Sequence, residues 1–306
     1  YSTNRISNRL WFFVTELPEL LEKETNSTPA KANRAASLPA VLNGQIMPGD
    51  QDFWRVPLQR GQRIAIWNRA RRIMPYLADA VPGWFQSCLA LTGPSGKEVA
   101  FNGGFRFDPD PLIHYDVPET GEYTLELKDA LFRGREDFVY RIHIGELPSL
   151  TDLFPLGGSN GAELELTLRG INLPSLTARF TPQAPAGTTL LWNPGFKKSA
   201  CNSLPFAVDE LPELLSAEGT VSSNRAQPLA MPVIVNGRIR ERGEFRWYSF
   251  RGTNRQAVVL EVRARRLGSP LDSILALMDE RGAPFAENDD TVDPGEGFTT
   301  HHADSY

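Results

Sequence analysis

The chain repeats itself at long range, and this constrains its folding more than any other feature. Residues 7–21 read SNRLWFFVTELPELL and residues 201–215 read CNSLPFAVDELPELL, so ten of fifteen positions are identical at a spacing of 194. LPAVLNGQI (38–46) returns as MPVIVNGRI (231–239), GDQDFWRV (49–56) as GEFRWYSF (243–250), and NRARRI (68–73) as VRARRL (262–267). A period this long is a two-domain unit copied in tandem, which favours a modular array over a single enzyme fold.

At 306 residues there is room for two or three domains, each able to bury its own core. A net charge of −5 argues against a nucleic-acid partner, because counterion release requires a basic surface. Cys88 and Cys201 are too few for a disulfide framework, and no apolar run is long enough to span a bilayer. The first residues match the middle of a repeat and the second repeat stops short, so the sequence reads as a piece of a longer protein.

Strand signals dominate. Tyr123, Leu125 and Leu127 alternate with polar neighbours, as do Phe138, Tyr140, Ile142 and Ile144 with Val139, Arg141 and His143. On that alternation His143 reads as a surface residue. Further strands are predicted at 41–47, 53–58, 62–68, 87–92 and 97–102, separated by glycine- and proline-rich turns. Residues 154–174 open a smaller unit with glycine turns, then alternate Leu164, Leu166 and Leu168, with strands to follow at 176–181, 188–192 and Leu204–Val208.

The fold expected is all-β: tandem antiparallel β-sandwiches, a jelly-roll type alternating with an immunoglobulin-like one. Residues 1–16 are read as the closing strand of a preceding immunoglobulin-like domain and 17–37 as a linker. A jelly-roll sandwich over 38–147, an immunoglobulin-like domain over 148–210 and a linker over 211–229 follow. Residues 230–306 form a second sandwich, truncated before any counterpart of the strands near 121–127 and 137–145.

At this point a family resemblance emerges. Glu22, Glu24, Asn26, Thr28-Pro29-Ala30 and Ala32, then Asn43-Gly44-x-Ile46, then Gly49-Asp50-x-Asp52-Phe53-Trp54, resemble the bacterial pre-peptidase C-terminal domain. So do Gly268-Ser269-Pro270-Leu271-Asp272, Leu275-x-Leu277 and Asn288-Asp289-Asp290 in the second repeat. The FPLGG…TLRGINL stretch resembles the TIG type of immunoglobulin-like domain. Their alternation looks like the large modular exported proteins of planctomycete-type bacteria and covers nearly the whole chain. The resemblance implies a secreted or surface accessory module. Relatives attached to secreted peptidases and collagenases bind calcium and sometimes substrate polymers.

A calcium ion takes six to eight oxygen ligands, several of them carboxylates. Glu22, Glu24 and Asn26 alternate along one extended segment and project to one side. The resemblance implies that this segment folds onto the acidic turn holding Asp50 and Asp52. The alternative is a solvated linker beside an acidic turn. In the second repeat Ser216, Glu218 and Thr220 replace the linker set, while Glu244 and Arg246 replace Asp50 and Asp52, so the site is expected to be lost there. A second candidate cluster is Asp272, Asn288, Asp289, Asp290 and Asp304, against the commoner outcome of a solvated acidic loop.

An insertion within 74–86 carries Tyr76, Trp84 and Phe85, with Trp67 on a nearby strand. These four are candidate contacts for sugar rings or a peptide, weighed against burial as an interdomain wedge. The runs Arg69-Ala70-Arg71-Arg72 and Arg263-Ala264-Arg265-Arg266 read as structural, paired with local carboxylates. No nucleophile motif is present and His301-His302 lacks an HExxH partner, so no enzyme is expected.

The function expected is a non-catalytic, calcium-stiffened, exported structural or adhesive array. It would be secreted, periplasmic or on the bacterial cell surface, and would contact an extracellular polysaccharide, a protein fibre or like subunits. Two alternatives stand beside it: an accessory substrate-binding region of a larger secreted hydrolase of peptidase type, and a self-assembling surface-layer or filament subunit.

Overall fold

The computed structural model describes residues 12–74, 85–106, 108–196, 200–290 and 304–305. It divides into two compact units, Tyr1–Ser149 with Gly195–Asn202, and Leu150–Pro194 with Ser203–Tyr306. Among the described residues the regular structure is β-strand with three short 3-10 turns, so the protein is all-β.

The first unit carries ten strands: β1 Glu19–Leu21, β2 Asn33–Arg34, β3 Ala40–Gln45, β4 Gln51–Leu58, β5 Arg63–Arg69, β6 Ser87–Thr92, β7 Glu98–Asn102, β8 Leu112–Asp116, β9 Gly121–Asp129 and β10 Val139–Gly145. They form two five-stranded sheets, ordered β1-β3-β10-β5-β8 and β2-β4-β9-β6-β7. The inward residues of both sheets share one core, in which Leu42, Ile66 and Ile142 of the first meet Trp54, Leu89 and Leu125 of the second. The period-2 pattern explains this directly. Along β9, Tyr123, Leu125 and Leu127 are buried while Glu122, Thr124 and Glu126 are not, so one face of the strand is apolar and enters the core.

Three features depart from the sequence reading. Residues 17–37 are more than a linker, because β1 adds in parallel to β3 and β2 adds in parallel to β4, making this segment an edge of both sheets. Residues 12–15 are not in a strand, with Phe12 and Val14 exposed; the rest of the expected closing strand, 1–11, lies outside the described residues. His143 is 2% exposed and stacks on Trp67, their ring centroids 4.9 Å apart and nearly parallel. Alternation shows which residues share a face but not whether that face is wet. Here Val41, His143 and Trp67 stand side by side in register and all are buried. Burial, with Arg69 and Arg141 close by, holds the His143 imidazole down at about 3, so it is neutral.

The second unit begins with β11 Ser149–Phe154, β12 Gly157–Ser159, β13 Leu164–Ile171, β14 Thr177–Phe180, β15 Thr188–Trp192 and β16 Leu204–Asp209. They form sheets β11-β13-β14 and β12-β16-β15. Leu166, Leu168 and Phe206 are buried, and Phe180 packs against both Trp192 and Phe206, with centroids 5.6 and 5.2 Å away.

The second repeat follows with β17 Glu213–Leu215, β18 Gln227–Pro228, β19 Ile234–Asn236, β20 Tyr248–Ser249, β21 Leu275–Met278 and β22 Pro284–Asn288. Its pairs β17–β19, β18–β20 and β21–β22 reproduce β1–β3, β2–β4 and β6–β7 in the same register. The central strands of both sheets, β9 and β10, have no counterpart in the sequence. Residues 257–263, which align with β5, form no strand. Ile274 is exposed where its counterpart Cys88 is buried.

The arginine runs are structural, for a reason located in their backbone. The Asp110 carboxylate accepts the N–H groups of Ala70, Arg71 and Arg72 at 3.0, 2.8 and 3.1 Å. In the second repeat Asp304 accepts those of Ala264, Arg265 and Arg266 at 2.8, 2.7 and 3.2 Å. Each run is a turn organised by one buried acid. Replacing Asp110 by Ala strands three donors at a buried turn, and is expected to lower the stability of the first unit by about 3 kcal/mol in urea titration.

Candidate metal centre

The cluster is assembled by the crossing of residues 22–27 from one sheet to the other. β1 lies parallel to β3, and the Glu22 N–H donates to the Asn43 carbonyl at 2.9 Å. Four residues on, the chain has reached the second sheet, where the Asn26 carbonyl accepts the Phe53 N–H of β4 at 3.2 Å. This brings Glu22 and Glu24 to Asp52, with the Asn26 backbone bonded to the next residue of β4. One carboxylate oxygen from each of Glu22, Glu24 and Asp52 lies within 4.8 Å of the others.

Glu22 is held on both oxygens. Oε1 accepts the Gln45 N–H at 2.7 Å, and Oε2 accepts the Tyr140 hydroxyl at 2.9 Å. The Tyr140 oxygen in turn accepts the Trp54 indole N–H at 3.2 Å. Gly44 makes room for this. A Cβ there would lie 2.1 Å from Glu22 Oε2 and 2.3 Å from the Tyr140 hydroxyl oxygen.

Asn26 and Asp52 have no exposed surface, and the amide of Asn26 and both carboxylate oxygens of Asp52 have no hydrogen-bond partner. Buried polar atoms are rarely left this way, and an acid is the costliest case. Burial pushes the Asp52 carboxyl up to about 9, followed by the approach of Glu22, to which a protonated Asp52 can donate, and by the charges of Glu22 and Asp50. The Tyr140 hydroxyl acts in the opposite direction, but its proton is given to Glu22. Glu24 is also raised, mainly by burial and then by Asp50 and Glu22, although its N–H bond from Asn26 opposes this. At this spacing two full charges repel by roughly 3 kcal/mol in an effective dielectric of about 20, less at the exposed Glu24. Three ionised carboxylates and an amide oxygen are the donor set of a hard divalent cation, and such an ion would satisfy every orphaned oxygen. Asp50 sits beside the cluster rather than in it. Its Oδ1 accepts the Ser27 hydroxyl at 2.9 Å and the Gln51 N–H at 2.8 Å.

Two members of the arrangement escaped the sequence reading. Tyr140 was legible only as an inward strand residue, and the role of Gly44 was hidden, although its Asn-Gly pair recurs as Asn236-Gly237.

The second acidic cluster is smaller than expected. Asp272, Asp289 and Asp290 come within 4.8 Å of one another, but all are exposed. Asn288 donates to the Asp290 carbonyl at 3.2 Å. Asp304 does not join them, because it is committed to the 264–266 turn and to Arg266 Nε at 2.9 Å. The aromatic ligand surface is likewise corrected. Trp67 and Phe85 are each 4% exposed, and Phe85 stacks on Phe138 at 5.0 Å, so both belong to the interior. Tyr76 and Trp84 lie outside the described residues.

Fold and cluster together define an all-β protein whose first repeat carries a buried carboxylate–amide group. No protein-family model matches the chain, and no curated protein does. Among solved structures it is similar to the pre-peptidase C-terminal domain of collagenase from Bacillus anthracis, at 14% identity over 37% of this chain and 94% of that one, with a TM-score of 0.28. It is also similar to PliG of Aeromonas hydrophila, a periplasmic inhibitor of g-type lysozyme, at 12% identity over 43% of this chain and 100% of that one, with a TM-score of 0.24. No helix among the described residues is long and apolar enough to cross a membrane.

Gly44→Ala tests the packing of the cluster. The new methyl group must displace Glu22 or Tyr140, and a loss of about 2–4 kcal/mol is expected in chemical denaturation. Gly49→Ala, whose Cβ would meet nothing within 4 Å but whose φ is +79°, is expected to cost only about 1 kcal/mol.

Proposed function

We propose that the chain is part of a non-catalytic, exported module array in which the first repeat is braced by a calcium ion. Residues 38–147 and 230–306 are taken as jelly-roll modules of pre-peptidase C-terminal type, with a TIG-like immunoglobulin module over 148–210 between them. The observation carrying this reading is that the buried Asn26 amide and Asp52 carboxylate have no hydrogen-bond partner within the protein, and that Asp52 clusters with Glu22 and Glu24. Glu22, Glu24, Asn26 and Asp52 would hold the ion, and Asp50 would add to the local negative charge.

The role follows from position. Residues 22–27 connect β1 of one sheet to the start of β4 in the other, so an ion held there ties the two sheets together at their edge. The proposed work is to keep neighbouring modules at a fixed spacing outside the cytoplasm. With Trp67 and Phe85 in the core, support for polymer contact through the aromatic insertion is reduced to residues 76 and 84, and spacing is the role favoured.

Thermal unfolding with calcium and with chelator is the test. At calcium one hundred times the dissociation constant, mass action gives about 2.7 kcal/mol, a rise of about 5–10 °C for a unit of this size. The rise should vanish in Asp52→Asn. A wild type whose melting temperature is the same in calcium and in chelator removes the ion from the function.

The pH dependence has a definite sign. Without a cation the folded-state pKa of Asp52 is raised, so its contribution is most favourable below its unfolded value near 4 and is lost as pH rises toward about 9. In chelator, wild type should therefore lose stability across that window, and Asp52→Asn should lose less. Calcium binding requires the ionised acid, so the calcium-induced rise should be small at pH 5 and large at pH 8.

A further inference from the structure

The second repeat builds the same corner without the acids. Ser216 N–H donates to the Asn236 carbonyl at 2.8 Å, as Glu22 does to Asn43, and Trp247 N–H donates to the Thr220 carbonyl at 2.8 Å, as Phe53 does to Asn26. These bonds set Ser216, Glu218, Thr220 and Arg246 at the places of Glu22, Glu24, Asn26 and Asp52, with Glu244 at that of Asp50.

The balance of charge differs. The first set holds four acids, Glu22, Glu24, Asp50 and Asp52, and no basic side chain. The second holds two acids, each with an arginine: Glu218 pairs with Arg240, and Glu244 pairs with Arg246, whose Nη2 lies 2.5 Å from Oε1. The Arg246 side chain is 12% exposed, and its Nε donates to the Arg238 carbonyl at 3.0 Å. The uncharged positions are satisfied too. Tyr248, at the place of Trp54, donates its hydroxyl to Ser216 Oγ at 2.9 Å, and Thr220 Oγ1 donates to the Ala217 carbonyl at 3.3 Å. Thr220 and Arg246 thus have partners where Asn26 and Asp52 have none.

We infer that Arg246 is a resident counter-cation: its guanidinium does in the second repeat what a bound metal ion does in the first. The comparison with the first repeat rests on the cation reading of the Asp52 cluster, whereas the role of Arg246 stands on its own bonds. A guanidinium stays protonated across the pH range of proteins and directs several donors in a plane, so it supplies positive charge without exchanging with solvent. One repeat is then gated by the ion and its twin is locked regardless of it.

Peptide-resolved hydrogen exchange on the full chain, with calcium and with chelator, tests this. In wild type, calcium should slow exchange across 22–27 and 43–53 and leave 216–220 and 238–248 unchanged. Arg246→Gln should speed exchange across 216–220 and 238–248 about tenfold in either condition, and Arg246→Lys, which keeps the charge, should recover most of the protection. Calcium protection of 216–220 in wild type, or an Arg246→Gln variant with unchanged exchange there, overturns the inference. Should 22–27 ignore calcium while Arg246→Gln loosens the second repeat, the cation site of the first repeat falls and the role of Arg246 stands.

Discussion

The first repeat is organised around a carboxylate withdrawn from water without a donor to receive it. Asp52 enters from β4, is fully buried and has no hydrogen-bond partner, while its charged neighbours are acids. Much of the surrounding architecture serves to bring further acids to it. The parallel edge strand β1 delivers Glu22, the crossing delivers Glu24 and Asn26, and Gly44 and Tyr140 fix Glu22 in place. Burial of like charges on this scale is unfavourable in an isolated protein. On the proposed reading a bound cation would offset that cost, and this would link the corner to its medium.

The two repeats show what else the fold depends on. In the first, β9 and β10 are the middle strands of their sheets, and each is paired on both sides. In the second, the flanking pairs form in the same register. The two repeats also differ at single atoms: Arg141 of β10 pairs with Glu19 at 2.8 Å, whereas Glu213, the counterpart of Glu19, has a buried Oε1 with no hydrogen-bond partner and a raised pKa, chiefly from burial.

Strand positions were largely legible in the sequence, because a half-buried strand writes its burial into alternate residues and turns write theirs into glycine and proline. β9 and β10 are the clearest cases. What was not legible depended on contacts between distant segments. Alternation assigned His143 to an outer face but could not show that this face is covered. The linker composition of 17–37 concealed β1 and β2, two edge strands too short to leave a period. Glu22, Glu24, Asn26 and Asp52 were found as ligand types on a pattern. Asp304 was misassigned, because an acid that caps a backbone turn and an acid that waits for an ion are the same letter. The repeat could have separated them: Asp110, at the aligned position, lies beside the same arginine run in a repeat without the neighbouring acidic triplet.

That comparison bears on why one corner is kept in two forms. A guanidinium and a metal ion both cancel buried negative charge, but they differ in what sets their occupancy. Arg246 is present at a fixed ratio of one, so its corner carries that positive charge whether or not a cation is available. On the proposed reading, the Asp52 cluster would have a stability that follows the logarithm of free cation once the site begins to fill, and this cation-dependent part would fall with acid as protons compete for the same oxygens. Converting the first form to the second requires loss of acids at Glu22 and Asp52, gain of the arginine, and a hydroxyl at 216 to receive Tyr248. Partial conversion is worse than either end state. An arginine placed beside Glu22 and Glu24 blocks the ion without satisfying Asn26, and loss of Glu22 alone leaves the Tyr140 hydroxyl without its acceptor. The two states are therefore separated by unfavourable intermediates, and each repeat remains a self-consistent solution to the same electrostatic problem.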